Sequence, residues 1–414
     1  MANNPYVNKF VFGNEVKFDL SGDDVQASDV RSGVKFHLPS GEPAVGTASG
    51  GGGNPVAEEK TVNFIDYDGT IRYSYTAAEF GQLSALPANP THTGRIAQGW
   101  NWTLAQINAQ LAACPGAPVW VGQQYTTSDG KTHIHVEFPA DTPASRRTFN
   151  LRFRQTVAYG VEVDWGDGST PESHGDTSQS LDHTYADPGE YDITLDAVDG
   201  ALYFIYAIGK TDDISRNRTR ITDIAFGDNV TSIGEQALYG LFGHFTMSVP
   251  SGVAFSGYYM CGSAYALSAL IIPSGTTSVA ERLCRYCFAL SVVSVPSGVT
   301  TIGPNAFFEN HGLRSITIPN GVTIIGANAF DSCYGLLSID IPSSVTSIGD
   351  SAFSRCAGVG AFHIRATTPP TLGSSVFSGI ASDCVIYVPS ASVNAYKSAT
   401  NWSSYASYIQ AEPS

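Results

Sequence analysis

Three groups of residues in this chain have the types and spacing that chemistry needs. Cys284 and Cys287 form a Cys-x-x-Cys pair, the fragment from which a zinc or redox site would start. His133-Ile-His135-Val-Glu137 sets three metal-ligand types on one face of a strand, because alternate residues share a face. Glu162, Asp164 and Asp167 supply carboxylates for a calcium site or a general acid–base pair. Each group also has a plainer reading. No second Cys-x-x-Cys and no nearby histidine completes a zinc set. Ile134, Val136 and Phe138 alternate with the histidines, as in a half-buried strand with its polar face outward. Asp167 precedes Gly168, a pair suited to a tight turn. No phosphate loop, nucleophile elbow or zinc-protease helix occurs. A glycan depolymerase would need paired carboxylates on a suitable scaffold, and none stands out. The expectation is a non-enzymatic chain with no metal and no cofactor.

Composition narrows the class further. The chain has 414 residues, more than one compact core usually serves, so several domains are expected. Charged residues make up only 14% and there are 42 glycines, a balance that favours strands and turns. The net charge of −15 would repel a polyanion, which argues against nucleic acid as a partner. No apolar run reaches the roughly 20 residues that cross a bilayer, so no membrane insertion is expected. The first residues lack a basic-then-apolar leader pattern. The seven cysteines are an odd number and make a poor disulfide framework.

The elements that must position these residues form a mainly β, multidomain chain. Residues 1–47 alternate in short runs broken by Gly-Asn and Ser-Gly, as small hairpins do, and residues 48–59 form a Gly-rich linker. Residues 60–140 suggest a small α+β module. It has a hairpin turning at Asp68-Gly69, helices N-capped by Thr76 and Thr103, and a second hairpin turning at Asp129-Gly130. Residues 145–200 carry tight turns at Asp167-Gly168 and Pro188-Gly189 with Ile193 and Leu195 alternating inward, and residues 201–220 suggest a connector.

From 221 to 389 the chain repeats. Pro250, Pro273, Pro296, Pro319 and Pro342 lie 23 residues apart, and Gly303, Gly326 and Gly349 keep the same grid. Three columns are apolar throughout: Leu267, Leu290, Leu313, Leu336; Leu270, Val293, Ile316, Ile339; and Ile272, Val295, Ile318, Ile341. A strict period of this length means a solenoid, here of 23-residue coils with a short A-F-x-x-C turn of helix in each. Cys287, Cys333 and Cys356 share one column, and Cys261 and Cys284 share that of Phe307, Phe330 and Phe353, as thiols in a core would. Residues 390–414 suggest a helical cap over the open end.

Two surfaces of the solenoid are candidates for ligand binding. The first is the outward strip of the L-x-x-I-x-I strands: Ser248, Ile271, Ser294, Thr317, Asp340 and His363. The second is an aromatic column at the preceding turn, Phe242, Tyr265, Phe288, His311, Tyr334 and Ala357, together with Tyr258 and Tyr259. Coils about 4.8 Å apart would make that column a ladder of rings, and such ladders can stack on sugars.

Several segments resemble known families. VNFIDYDGTIRYSY with PANPTHTGRIAQGWNW resembles bacterial surface repeats of the Listeria–Bacteroides type. Trp165-Gly166-Asp167-Gly168 with His183, Tyr185, Pro188-Gly189 and Tyr191 resembles the polycystic-kidney-disease (PKD) domain, which implies an immunoglobulin-like β-sandwich over residues 145–200 in which Asp167 shapes a turn. The 23-residue units resemble BspA-like, treponemal-type leucine-rich repeats. The opening MANNPYVNKFVFGNEVKFDLSGDDV and its closing SGEPAVGT resemble the start of tail-fibre-like proteins of phages and prophages of gut Firmicutes. These resemblances imply a receptor-binding protein of a virion tail, docked on other tail proteins through residues 1–47. Its solenoid would face a host cell-surface glycan or protein, and the protein could be a homo-oligomer. The alternative they imply is a BspA-like adhesin on a bacterial cell surface.

Overall fold

The computed structural model describes residues 9–12, 15–19, 35–37, 43–45, 61–155, 160–174, 178–197, 202–204, 221–228, 230–241, 243–255 and 257–413. The linker 48–59, most of the connector 201–220 and Phe242 lie outside them. Two units separate, Met1–Glu59 and Lys60–Ser414. In the first, Lys9–Phe12 pairs antiparallel with Glu15–Asp19, and Lys35–His37 with Pro43–Val45, as expected of hairpins.

The second unit begins with a four-stranded sheet in the order Ile71–Tyr75, Val62–Ile65, Val119–Thr127, Arg95–Trp100. Helices Ala77–Phe80 and Leu104–Ala113 start where Thr76 and Thr103 cap them, each with a reciprocal bond from Glu79 or Gln106. Phe64, Phe80, Trp102, Ile107, Val119 and Val121 make a separate small core. The expected second hairpin does not form. The chain does turn at Asp129-Gly130, but Val119–Thr127 and Thr132–Phe138 enter different sheets. Burial explains this. Val119–Thr127 is covered on both faces, whereas Thr132–Phe138 alternates and buries Ile134, Val136 and Phe138 elsewhere.

Thr132–Phe138 belongs to a two-sheet sandwich. One sheet runs Glu172–His174, Val161–Asp164, Gly189–Ala197, Thr132–Phe138, and the other Ser178–Thr184, Thr148–Gln155, Leu202–Phe204. Both sheets then continue into the solenoid. Ile221–Ala225 adds to Thr132–Phe138 and carries Thr246–Ser248 in parallel, while Leu202–Phe204 carries Val230–Ile233 and Ala254–Phe255 in parallel. A single core therefore runs from Ile134 in the sandwich to Ile409 at the chain end.

The solenoid strands pair in parallel at the period of the sequence, as Ala269↔Val292, Thr301↔Ile324 and Ser338↔Ala361 show. The A-F-x-x-C segment is not a turn of helix. It forms a third ladder, in which alternate N–H groups donate to the next coil: Asn305, Phe307 and Glu309 to the carbonyls of Ala327, Ala329 and Asp331. Residues with positive φ recur there four apart, for example Asn305 (56°) and Glu309 (58°), then Asn328 (54°) and Ser332 (62°). These left-handed residues turn successive amides toward the neighbouring coil instead of along a helix. The seven cysteines are buried thiols in no disulfide, and Cys287, Cys333 and Cys356 donate to the carbonyls of Cys261, Phe307 and Phe330.

At the far end the cap is only partly helical. Val393–Ser398 is an α-helix, but Ile409–Ala411 adds a last parallel strand beside Val385–Val388. Trp402 is buried and donates to the Pro370 carbonyl, and Tyr396 donates to that of Ala366.

The α+β module lies on the L-x-x-I-x-I strands of the solenoid. Asn101 donates to the Ile272 carbonyl (3.1 Å) and accepts from the Gly122 N–H (2.8 Å). Trp102 donates to the Val295 carbonyl, and Gln110 bridges the Ile318 carbonyl and the Asn320 N–H. Contact is close enough to require glycine at 122. A Cβ there would lie 2.5 Å and 2.8 Å from the two γ-carbons of Ile271.

Three outcomes follow from this packing. Gly122→Leu should lift the module, so that amide hydrogen exchange at Ser294–Val295 accelerates while the solenoid still unfolds as one transition; unchanged protection there would contradict the docking. Trp402→Ala should cost about 3–5 kcal/mol in urea unfolding, as other large-to-small aromatic core changes do. The third concerns His133, whose imidazole pKa is raised above 6.5 by its hydrogen bond to Asp192, against the opposing effect of burial, and further by Asp129. The resulting stabilisation is complete below pH 6.5 and is lost as pH rises through the raised value. An NMR titration should show His133 titrating high, and Asp192→Asn should bring it down.

Candidate functional site

The strip read as a ligand face is a seam inside the molecule. Ser248, Ser294 and Thr317 are buried beneath the α+β module. Arg95 Nε donates to Ser248 Oγ (3.0 Å), and Ser294 Oγ donates to the Trp120 carbonyl (2.7 Å). Thr317 Oγ1 accepts from the Trp120 N–H (3.0 Å) and donates to the Pro118 carbonyl (2.8 Å). Asp340 accepts from Arg365 Nε (2.9 Å), and Arg365 also reaches the Pro115 carbonyl (3.2 Å). His363 pairs with Glu412 (2.9 Å) and stacks on Tyr387 (5.1 Å). Ser248, Thr317, Asp340 and His363 are thus engaged by the chain itself. A polar, mixed strip serves an internal partner as well as an external one, so its composition could not tell them apart.

The turn side of the coils is different. Tyr265, Phe288, His311 and Tyr334 form a ladder with centroid spacings of 5.2, 4.9 and 4.9 Å. Its rings are open to solvent, with Tyr265 37%, Phe288 37% and Tyr334 45% exposed. The first pair is nearly parallel at 3° and the second is at 21°. Inner rings therefore cover each other's faces and present their edges outward, which removes the face-on sugar stacking expected of them.

Beside the ladder lies a cluster that sequence reasoning found only in part. Tyr258 and Tyr259 do meet (4.8 Å), but two arginines organise them. Arg282 donates to the Tyr258 hydroxyl and stacks over that ring at 4.9 Å. Arg285 donates to the hydroxyls of Tyr259 (2.7 Å) and Tyr286 (2.8 Å), and its guanidinium lies over Tyr286 (4.5 Å) and Phe308 (4.8 Å). Tyr286 reaches Phe288 at 6.2 Å and joins cluster to ladder. The signal was present: positions 285, 286 and 308 carry large side chains where Gly262, Ser263 and Ser354 stand in other coils.

The remaining candidates are occupied by their own surroundings. Asp167 accepts from the Ser169 N–H and from His183 (2.8 Å); burial alone would raise its carboxyl, but these bonds bring it down to about 2. Asp164 accepts from the Gly166 N–H, so both carboxylates shape the turn. Trp165 stacks on His183 (4.7 Å), and Tyr185 donates to the Trp165 carbonyl. His133 lies between Asp192 and Asp129, and His135 is 3.8 Å from Glu190. In the α+β module, Asp66 is fully buried. Burial raises its carboxyl, but Tyr125, His92, the Tyr67 N–H and Arg72 outweigh that and hold it below the ordinary value.

The family described as BspA type Leucine rich repeat region matches residues 215–335 and 307–404. No curated protein matches the chain. Solved structures similar to it include a leucine-rich repeat protein of Treponema pallidum, at 19% identity over 45% of this chain and 73% of that one, with a TM-score of 0.32. Another, from Eubacterium ventriosum, is 19% identical over 43% of this chain and 48% of that one, with a TM-score of 0.30. A leucine-rich cell surface protein of Faecalibacterium prausnitzii is 22% identical over 47% and 73%, with a TM-score of 0.21. Over residues 215–404 the solenoid of this chain is similar to BspA-type leucine-rich repeats.

Proposed function

We propose that this chain is a non-enzymatic recognition protein of adhesin type, working at a bacterial cell surface and presenting the turn side of its solenoid to a glycan or protein. One observation carries the reading: the broad strand face is taken by the chain's own module, while the Tyr265–Tyr334 ladder is exposed and the Tyr258–Arg285 cluster lies half-buried beside it. Aromatic rings supply large contact area at small entropic cost and arginine adds hydrogen-bond donors, the composition of interface anchors. The non-enzymatic part rests on how the carboxylates are held. Asp66, Asp167, Asp331 and Asp340 each carry cationic or backbone donors that fix them. No helix among the described residues is long and apolar enough to cross a membrane.

The PKD-like reading of residues 145–200 is supported by the Trp165–His183–Tyr185 packing. A virion tail-fibre role is the second reading. It rests on the resemblance of residues 1–47, which lie mostly outside the described residues, and it would use the same turn-side surface.

The test is binding of the full chain to bacterial cells. In Tyr259→Ser/Tyr265→Ala, each replacement is a residue that another coil already carries in that column, Ser351 and Ala357, so the fold is retained. Binding should fall at least tenfold; undiminished binding would move recognition off this face. Mass spectrometry of washed cell surfaces and of purified virions tells the two readings apart.

A further inference from the structure

The ring ladder ends abruptly. Tyr265, Phe288, His311 and Tyr334 hold four consecutive rungs, and the fifth holds Ala357. The coil carrying Ala357 lies directly against Tyr334: a Cβ on Gly358 would come within 2.2 Å of the Tyr334 carbonyl oxygen. One coil further on, Ala381 occupies the turn. Among the described residues the ring contact of Tyr334 is with His311, on the side away from Ala357. Tyr334 also tilts 43° from His311, out of the parallel stack of the earlier rungs. Its second face therefore borders a rung in which a methyl group stands where a ring would fit.

The surroundings of that rung are those of a binding site. Leu337, three residues on, is 64% exposed, more than any other large apolar side chain among the described residues. Arg355, on the coil of Ala357, uses Nε (3.0 Å) and Nη2 (2.8 Å) to hold Asp331, while its side chain is 53% exposed. Its Nη1 stands outside that pair. Arg314, one coil before Leu337 in the same column, is exposed. An electron-rich phenol face, an apolar flank and guanidinium donors at the rim match a particular kind of ligand. It has one flat C–H surface and an edge of hydroxyl oxygens that accept hydrogen bonds.

We propose that the open face of Tyr334 is a pyranose-binding subsite, in which a sugar ring of a glycan takes the fifth rung over Ala357, flanked by Leu337 and Arg355. This rests on the recognition reading above and gives it a ligand class. It also restores the sugar stacking that the inner rings cannot offer, because Tyr334, as the last ring, has no ring over its second face among the described residues. The inner rings hold Tyr334 in place, so little order is lost on binding. A single stacked ring binds weakly, and several copies on one surface would supply strength through avidity.

The test is saturation-transfer NMR on the full chain with a panel of methyl pyranosides of gluco, galacto, manno and N-acetylglucosamine type. At least one should receive saturation, strongest at the protons of its C–H face. Tyr334→Ala should reduce the transfer at least tenfold, and Tyr334→Phe should keep it. Ala357→Phe is the decisive variant, since it places in the empty rung the residue type already found at 288 and should abolish transfer with the fold intact. No transfer to any pyranoside overturns the proposal, and so does transfer that survives Ala357→Phe. Transfer to a tyrosine-containing peptide and to no pyranoside also overturns it, in favour of a protein partner. The cell assay separates this failure from failure of the broader reading. If cells are bound but pyranosides are not, the sugar subsite falls and surface recognition stands; if pyranosides are bound but the chain ignores cells, the reverse holds.

Discussion

Each coil of the solenoid spends its backbone hydrogen bonds on its neighbours. The strand residues pair at a constant offset of one repeat, and the turn residues do the same through alternate amides. No coil is satisfied alone, and a buried amide left without a partner costs about 1–3 kcal/mol. Such a stack cannot simply stop. At one end the two sheets of the sandwich take in the first solenoid strands, so the first coil meets strands and not water. At the other, Ile409–Ala411 pairs with the last coil and Trp402 closes over it. Sandwich, solenoid and cap share one core, and paired strands cover both ends of the stack.

That dependence explains what could be read from the residues and what could not. The columns Leu267–Leu336 and Ile272–Ile341 announced the inward face, since burial tolerates few residue types and repeats them at every turn. The cysteines fell in register with phenylalanines for the same reason, and they lie in the core. Strand partnership was harder. Thr132–Phe138 shows the alternation of any half-buried strand, and nothing in it says that its partner is Gly189–Ala197 and not the strand across the nearby turn. The clue lay in its neighbour: Val119–Thr127 carries Gln123, Gln124, Thr126 and Thr127 in a stretch that is buried on both faces. Polar residues at buried positions imply a second surface pressed against them, here the solenoid.

The same ambiguity governed the candidate site. Ser294 and Thr317 are the kind of residues a recognition strip would offer, and they do make specific hydrogen bonds, but to Trp120 and Pro118 of the same chain. Long-range packing decides whether a polar column faces a partner within the molecule or outside it, and a single repeat carries no trace of that choice. The aromatic column was legible because rings at a surface position are unusual whatever covers them. Arg282 and Arg285 escaped notice since an arginine in a turn ordinarily reads as a solvated charge.

Backbone conformation adds an independent mark to the Tyr258–Arg285 cluster. One column of each coil takes a positive φ, and several coils fill it with residues that adopt this shape easily or carry little bulk: Asn305, Asn328, Ser351 and Ser375. In the coils that build the cluster the same column holds Tyr259 (57°) and Arg282 (58°), and the companion column holds Tyr286 (66°). A side chain with a Cβ in the left-handed region costs roughly 1–2 kcal/mol, and asparagine relieves part of that through its own short amide. Tyrosine and arginine have no such relief. Their guanidinium–ring contacts and hydroxyl bonds, at 2.7 and 2.8 Å for Arg285, offset the cost. From Asn305 onward the first column is filled by asparagine or serine, whereas the companion column also holds Glu309 (58°) and Arg355 (58°) outside the cluster. In the first column Tyr259 and Arg282 thus stand where a smaller residue serves the fold in later coils, and their mutual contacts hold them there.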